Sequence, residues 1–214
     1  MSSRSELAPI RVTLAGAEPV LIFLAGPNGA GKSTFFKEYL ANLSLPYVDA
    51  DLFARELRDT NPSASSEEVD RYAFTKAEET RDALLEARIS FCTETVFSDP
   101  RGAKLMFLER ARRYGYSVFL IFIGLESVEL SVGRVKHRVD TGGHDVPDDK
   151  LYARFPRTLA NLRAAIPIAD EVFLFDNSSS DQPYRLIAVY NQGALVTHYP
   201  PLPGWAQGTL ESSA

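Results

Sequence analysis

Gly26-Pro27-Asn28-Gly29-Ala30-Gly31-Lys32-Ser33-Thr34 follows the apolar run Val20-Leu21-Ile22-Phe23-Leu24-Ala25 and leads into Phe35-Phe36-Lys37-Glu38-Tyr39-Leu40. The order is strand, glycine-rich loop, helix, with the G-x-x-x-x-G-K-S spacing of a phosphate-binding P-loop. Gly26, Gly29 and Gly31 permit turns closed to other residues and bring backbone N–H groups against phosphate oxygens. The helix start adds free N–H donors and the positive end of its dipole. Lys32 is placed to reach the β- and γ-phosphates, and the Ser33 hydroxyl to ligate Mg²⁺. Gly26 through Thr34, with Pro27, Asn28 and Ala30 in the loop wall, is therefore the candidate nucleotide cradle. A chance glycine turn beside a lysine is disfavoured by the strand and helix on either side. The stretch implies binding of a nucleoside triphosphate.

Working outward, 214 residues suit one α/β domain with a sizeable core. With 45% hydrophobic and 24% charged residues, the chain has the balance of an ordinary globular protein. A net charge of −5 gives no general attraction to nucleic acid, so phosphate binding has to come from local basic clusters. The single cysteine, Cys92, lies in the apolar run Ile89-Ser90-Phe91-Cys92, fits a reducing cytoplasmic compartment and reads as a core residue. Met1–Ala8 lacks the apolar segment of a signal peptide, and no run of about eighteen apolar residues predicts a membrane helix. Three histidines without paired ligand spacing argue against a structural zinc site.

Strand and helix signals alternate along the chain. Residues 1–19 read as an N-terminal arm, 20–199 as the P-loop domain and 200–214 as a Pro/Gly/Ser-rich, extended or loose tail. Pro46–Asp49 predicts a short second strand. Ser65-Ser66-Glu67-Glu68 reads as a capping box opening a long helix with Val69, Tyr72, Ala73, Ala77, Leu84 and Ala87 as its apolar stripe. Ile89–Val96 and Ser117–Ile123 predict buried strands, and Asp99-Pro100 predicts the start of a helix that turns Leu105, Leu108 and Ala111 inward. Val128, Val132, Val135 and Val139 mark another helix, broken at Gly142-Gly143 and resumed over 148–165. Glu171–Phe175 is a fifth strand, and Tyr184–Tyr190 with Ala194–His198 predicts a terminal hairpin. The fold class is α/β: a mostly parallel central sheet with helices on both faces and a C-terminal β-hairpin. In such sheets ligands gather at the carboxyl ends of the strands.

That rule selects the remaining candidates. Asp51 follows the second strand in Tyr47-Val48-Asp49-Ala50-Asp51. It reads either as a base taking the proton of an acceptor hydroxyl or as the N-cap of the helix over 52–57. Catalysis is favoured, because one aspartate can cap while the other works, and Asp49 is the more structural of the two. Glu94 ends an apolar strand, where an acid is costly unless paired or liganded. It suits substrate hydroxyls or a water on Mg²⁺, against the alternative of a solvent-facing strand end. Arg134 and Arg138 are four apart on one helix, with Arg154 and Arg157 beyond the glycine pair and His144 between. As a group they read as a lid closing on phosphates, although any one of these arginines fits equally well on a solvated helix face.

Gly26–Thr34, Asp49-Ala50-Asp51, Glu94-Thr95, Arg134, Gly142-Gly143-His144-Asp145-Val146-Pro147 and Tyr152–Arg157 together resemble the zeta-toxin family of P-loop kinases. The likeness spans about residues 20–177. It implies ATP and Mg²⁺ as cofactors and, from characterised members, UDP-N-acetylglucosamine as an acceptor phosphorylated on the sugar 3′-hydroxyl. It also implies a toxin–antitoxin setting with an antitoxin protein as partner. The family roles fall on Lys32 at the phosphates, Asp51 as base, Glu94 at the acceptor and Arg134 at the transferred phosphate. A second family arginine has no clear match: His144 holds the equivalent place before Val146-Pro147, with Arg154 or Arg157 as substitutes. The expected function is transfer of the γ-phosphoryl group of ATP to a small-molecule hydroxyl, with neither nucleic acid nor membrane as partner. Two other readings stay open: a nucleotide-dependent ATPase or switch acting through a protein partner, and a nucleoside or shikimate-type kinase outside the toxin family.

Overall fold

The computed structural model describes residues 18–140 and 146–210. The glycine pair, His144 and Asp145, like almost all of the N-terminal arm, lie outside the described residues. Seven strands form one sheet in the order β2-β3-β1-β4-β5-β6-β7: β1 Val20–Ala25, β2 Tyr47–Val48, β3 Phe91–Thr95, β4 Ser117–Gly124, β5 Glu171–Asp176, β6 Arg185–Asn191 and β7 Ala194–His198. The first five in space run parallel, while β5–β6 and β6–β7 are antiparallel. β1 is buried at every position, because it lies in mid-sheet with helices over both faces.

The two faces divide the core by strand alternation. Leu21 and Phe23 of β1, with Val118, Leu120 and Phe122 of β4, share one cluster with helices α3 (Ser66–Glu86), α4 (Ala103–Arg113), α6 (Asp148–Ala165) and α7 (Gly204–Leu210). Ile22, Leu24, Phe119, Ile121 and Phe173 share the other with Phe35 of the P-loop helix α1 (Lys32–Phe35). After Phe35 the helix passes through a π turn, Phe36–Leu40, and a short 3₁₀ turn, Ala41–Leu43. Helices α2 (Ala50–Thr60) and α5 (Val128–Asp140) complete the described helices. Ala54 of α2 packs on Val69 and Ala73 of α3.

Three local expectations are corrected. Asp99-Pro100 does not begin α4; the helix starts at Ala103 after Gly102, and Asp99 caps it from four residues upstream, accepting from Ala103 N at 2.7 Å. The fully buried row of α3 is Val69, Ala73, Ala77, Arg81 and Leu85, an uninterrupted i+4 row that includes an arginine; Leu84 packs part-buried against the same core, whereas Ala87 is exposed. The capping box at Ser65 and Glu68 is formed as expected. The tail is not loose over 204–210, where α7 seats Trp205 on Phe122 with ring centroids 5.5 Å apart. Trp205 Nε1 donates to Asp176 Oδ1 at 3.0 Å, so the buried indole keeps a hydrogen-bond partner.

Candidate active site

The P-loop joins β1 to α1 in the centre of the sheet. At Gly26 the backbone passes so near β4 that a Cβ would sit 2.2 Å from the Ile123 carbonyl oxygen, with φ at +149°. Gly31, at φ +89°, leaves room for two side chains that a Cβ would meet at 2.7 and 2.8 Å: Tyr184 Oη and Asn177 Nδ2. Those groups hold the loop from behind. Asn177 Nδ2 donates to Ala30 O at 2.9 Å, Tyr184 Oη to Gly31 O at 2.9 Å, and Ser131 Oγ of α5 to Asn28 O at 2.7 Å. Burial pushes the Tyr184 phenol up to about 12, which keeps it a donor. With their carbonyls bonded outward, these peptides carry their N–H groups on the other side.

Lys32 is almost fully buried, its ammonium donating to Pro27 O at 3.1 Å and lying 3.8 Å from Glu94 Oε1. Glu94 is the next-to-last residue of β3, beside the P-loop strand, and accepts from Ser33 Oγ at 3.0 and 3.2 Å and from Tyr47 Oη at 2.5 Å. Tyr47 belongs to no motif that the sequence displays. It stacks on Phe36 at 3.6 Å, and burial together with the Glu94 charge raises its phenol so that it remains a donor to that carboxylate. Glu94 thus faces Lys32 and Ser33 and is not a solvent-facing strand end.

The two aspartates separate cleanly. Asp49 is the N-cap of α2, its Oδ1 accepting from Asp51 N at 3.0 Å. Asp51 sits in the first helical turn, exposed on the cavity rim, and among the described residues its carboxylate makes no hydrogen bond or ion pair. Burial, then Glu94, then Asp51 push the Asp49 carboxyl up to about 7. The hydrogen bond from Asp51 N and then the Lys32 charge oppose that shift only in part. A raised acid stabilises the fold in its protonated form; this contribution is full below the ordinary value near 4 and is lost as pH rises through about 7. Asp49→Asn keeps an oxygen for the cap and removes the titration. Relative to the variant, the wild type is expected to lose on the order of 2 kcal/mol between pH 4.5 and 8, roughly 5 °C in melting temperature. Parallel thermal melts across that range check this; equal pH slopes in the two proteins would show that Asp49 is not the buried acid.

Lys32, Asp49, Asp51, Glu94, Arg138 and Arg154 all line one cavity of about 490 Å³. Its floor is the segment 95–99, in which buried Phe97 holds a left-handed φ of +61°. The strain is fixed from α6: Thr158 Oγ1 donates to Val96 O at 2.9 Å, and Asn161 Nδ2 to Phe97 O at 2.9 Å and Asp99 O at 3.0 Å. Arg134 lies outside this lining and reaches the P-loop itself, donating to Gly29 O at 3.4 Å. Arg157 is not part of the lining either; it stands close enough to Arg154 to lower that guanidinium's affinity for protons, after burial. Ser33 and the nearby carboxylate oxygens are hard donors that suit Mg²⁺, and among the described residues no cluster of three His, Cys, Asp or Glu forms a separate metal cage.

A P-loop at the centre of the sheet's five parallel strands, with a cavity at the strand ends lined by both acidic and basic side chains, defines a P-loop phosphotransferase. The sequence profile of the Zeta toxin family matches residues 5–185, and the chain belongs to that family of P-loop kinases. A Haemophilus influenzae protein of uncharacterised function is 28% identical over 134 residues, 63% of this chain and 91% of its own length. Among solved structures, one from the PezAT chromosomal toxin–antitoxin system of Streptococcus pneumoniae superposes with a TM-score of 0.63 at 17% identity, over 100% of this chain and 94% of its own. The AvrRxo1-ORF1:-ORF2 complex with ATP superposes with a TM-score of 0.69 at 19% identity, over 99% of this chain and 69% of that one. These likenesses are in fold. No helix among the described residues is long and apolar enough to cross a membrane.

Proposed function

We propose that this protein transfers the γ-phosphoryl group of ATP to a hydroxyl of a small metabolite, with Lys32, Asp51, Glu94 and Arg134 as the working side chains. The observation that carries the reading is the shared cavity: the P-loop lysine, a free carboxylate on the rim and a tethered carboxylate at the strand end face one space. Lys32 neutralises charge on the β- and γ-phosphate oxygens. Arg134, held at Gly29 O, meets charge that grows on the transferred group. Arg138 and Arg154 line the same space and supply further positive charge, Arg154 being the better candidate for the family's second arginine than Arg157. Asp51 accepts the proton of the acceptor hydroxyl, since its carboxylate is not spent on the helix cap. Glu94, oriented by Tyr47 and Ser33, positions the hydroxyl. Mg²⁺ would be held by Ser33 together with the phosphates, and when bound it screens their charge.

UDP-N-acetylglucosamine is the acceptor that family membership favours, and the pneumococcal PezAT likeness supports an antitoxin protein as partner. A cytoplasmic setting is consistent with the buried free Cys92. Mass spectrometry of a metabolite extract incubated with the protein and Mg-ATP tests the reading. One new species heavier by a phosphoryl group, formed in step with ADP, is expected. ADP formation without any phosphorylated product, stimulated by a protein partner, would replace the kinase by a switch.

A further inference from the structure

The cavity has a second end. Arg81 of the α3 stripe and Lys104 in the first turn of α4 both line it, and both are buried, at 4% and 8% exposure. Buried cations need anions close by. Glu78 supplies one oxygen, Oε1, and that single atom accepts from both Arg81 Nη2 and Lys104 Nζ. Arg81 Nη1 also donates to Thr93 Oγ1 at 3.3 Å, a neutral hydroxyl that donates on to Val48 O. Arg81 Nε is buried with no partner. The Lys104 ammonium has three protons but only Glu78 as hydrogen-bond acceptor among the described residues, and otherwise lies 5.6 Å from the centre of the Phe74 ring. Asp99, the other carboxylate near Lys104, is engaged by the backbone N–H groups of Ala103 and Lys104. Burial and the neighbouring Arg81 charge lower the Lys104 ammonium from its ordinary value, the mark of a cation short of negative partners.

The place is as informative as the charge. Thr93, which receives Arg81, and Glu94, which faces Lys32, are consecutive on β3 and point to opposite sides of the sheet. One cavity continues around the end of that strand from the phosphoryl-transfer groups to the two cations. Ala73, Phe74 and Ala77 of α3 form an apolar wall along the way.

We propose that Arg81 and Lys104 form an anion-binding subsite at the acceptor end of the cavity, so that the acceptor carries, besides the hydroxyl that is phosphorylated, an oxyanion group, either a carboxylate or a phosphate. The identity of the ligand as acceptor rests on the kinase reading; the subsite itself rests on the two buried cations sharing one carboxylate.

Isothermal titration of the full chain with inorganic phosphate and, separately, with glycolate tests it. Saturating Mg-AMPPNP keeps phosphate out of the P-loop, and the same titrations on Lys32→Ala protein serve if the nucleotide does not bind. Saturable binding of at least one probe is expected, weakened roughly tenfold or more in Arg81→Gln and in Lys104→Gln, with AMPPNP affinity unchanged. Tighter phosphate binding identifies a phosphorylated acceptor, and tighter glycolate binding a hydroxy acid. Circular dichroism checks that the variants fold, and Lys104→Gln carries the test alone if Arg81→Gln does not. Absence of saturable binding of either probe to the wild type, or unchanged affinity in the folded variants, overturns the proposal. A subsite that binds in a protein without phosphoryl transfer would instead overturn the kinase reading and leave the anion site standing.

Discussion

Replacing Lys32 by alanine is expected to lower phosphoryl transfer by roughly a thousandfold or more, the scale seen when a preorganised charge at a reacting centre is removed. No other side chain takes its place, because the ammonium projects from the first residue of α1, within 3.8 Å of Glu94 and bonded to the P-loop carbonyl of Pro27. Arg134 reaches the loop only at Gly29 O. The fold should survive, because Glu94 keeps Tyr47 and Ser33 as donors after the lysine is gone. A stability loss of about 1 kcal/mol is expected from the missing ion pair and hydrogen bond. Turnover of γ-labelled ATP with an acceptor, beside thermal melts of both proteins, measures the two effects separately. Activity within a few-fold of wild type would remove Lys32, and with it the P-loop, from the mechanism.

The site is legible in the sequence where its parts are contiguous and less so where they meet through the fold. The P-loop declares itself because strand, glycines, lysine and helix lie within about twenty residues, and its local backbone demands can be met by few residue types. Its supports are another matter. Asn177, Tyr184 and Ser131 bond the loop from distances of 100 residues or more along the chain, and nothing local marks them. Arg81 does leave a signal: an arginine on the row 69, 73, 77, 81 is a charge on a buried stripe. The apolar Leu84 and Ala87 offer a competing stripe in the sequence, and the charge of Arg81 interrupts the i+4 row that the fold buries. Trp205 shows the converse. Proline, glycine and serine dominate the composition around it, yet one large ring with a donor to Asp176 suffices to fasten the segment to the sheet. The glycine pair and His144, expected to hinge a basic lid, fall outside the described residues.

The division between Asp49 and Asp51 makes the second large effect specific. Asp49 spends its carboxylate on the α2 cap, and Asp51 contributes its backbone N–H to that cap while its side chain stays on the rim. Asp51→Asn should therefore leave the helix intact, with stability within about 0.5 kcal/mol of wild type, as for a substitution outside core and cap. Binding of Mg-ATP should also be unchanged, because among the described residues the Asp51 carboxylate makes no hydrogen bond or ion pair with the P-loop. Phosphorylation of the acceptor is expected to fall roughly a hundredfold or more, the range for a lost general base. The loss should appear in kcat and kcat/KM alike, since the proton transfer is made only in the transition state. Asp49→Asn offers the contrasting result. If the buried aspartate were the base, its value near 7 would appear as a rise of kcat/KM through neutral pH. That rise would vanish in Asp49→Asn, while Asp51→Asn would stay active. Full activity in Asp51→Asn with a stability loss of about 1 kcal/mol would instead make Asp51 a first-turn charge on the helix dipole and nothing more.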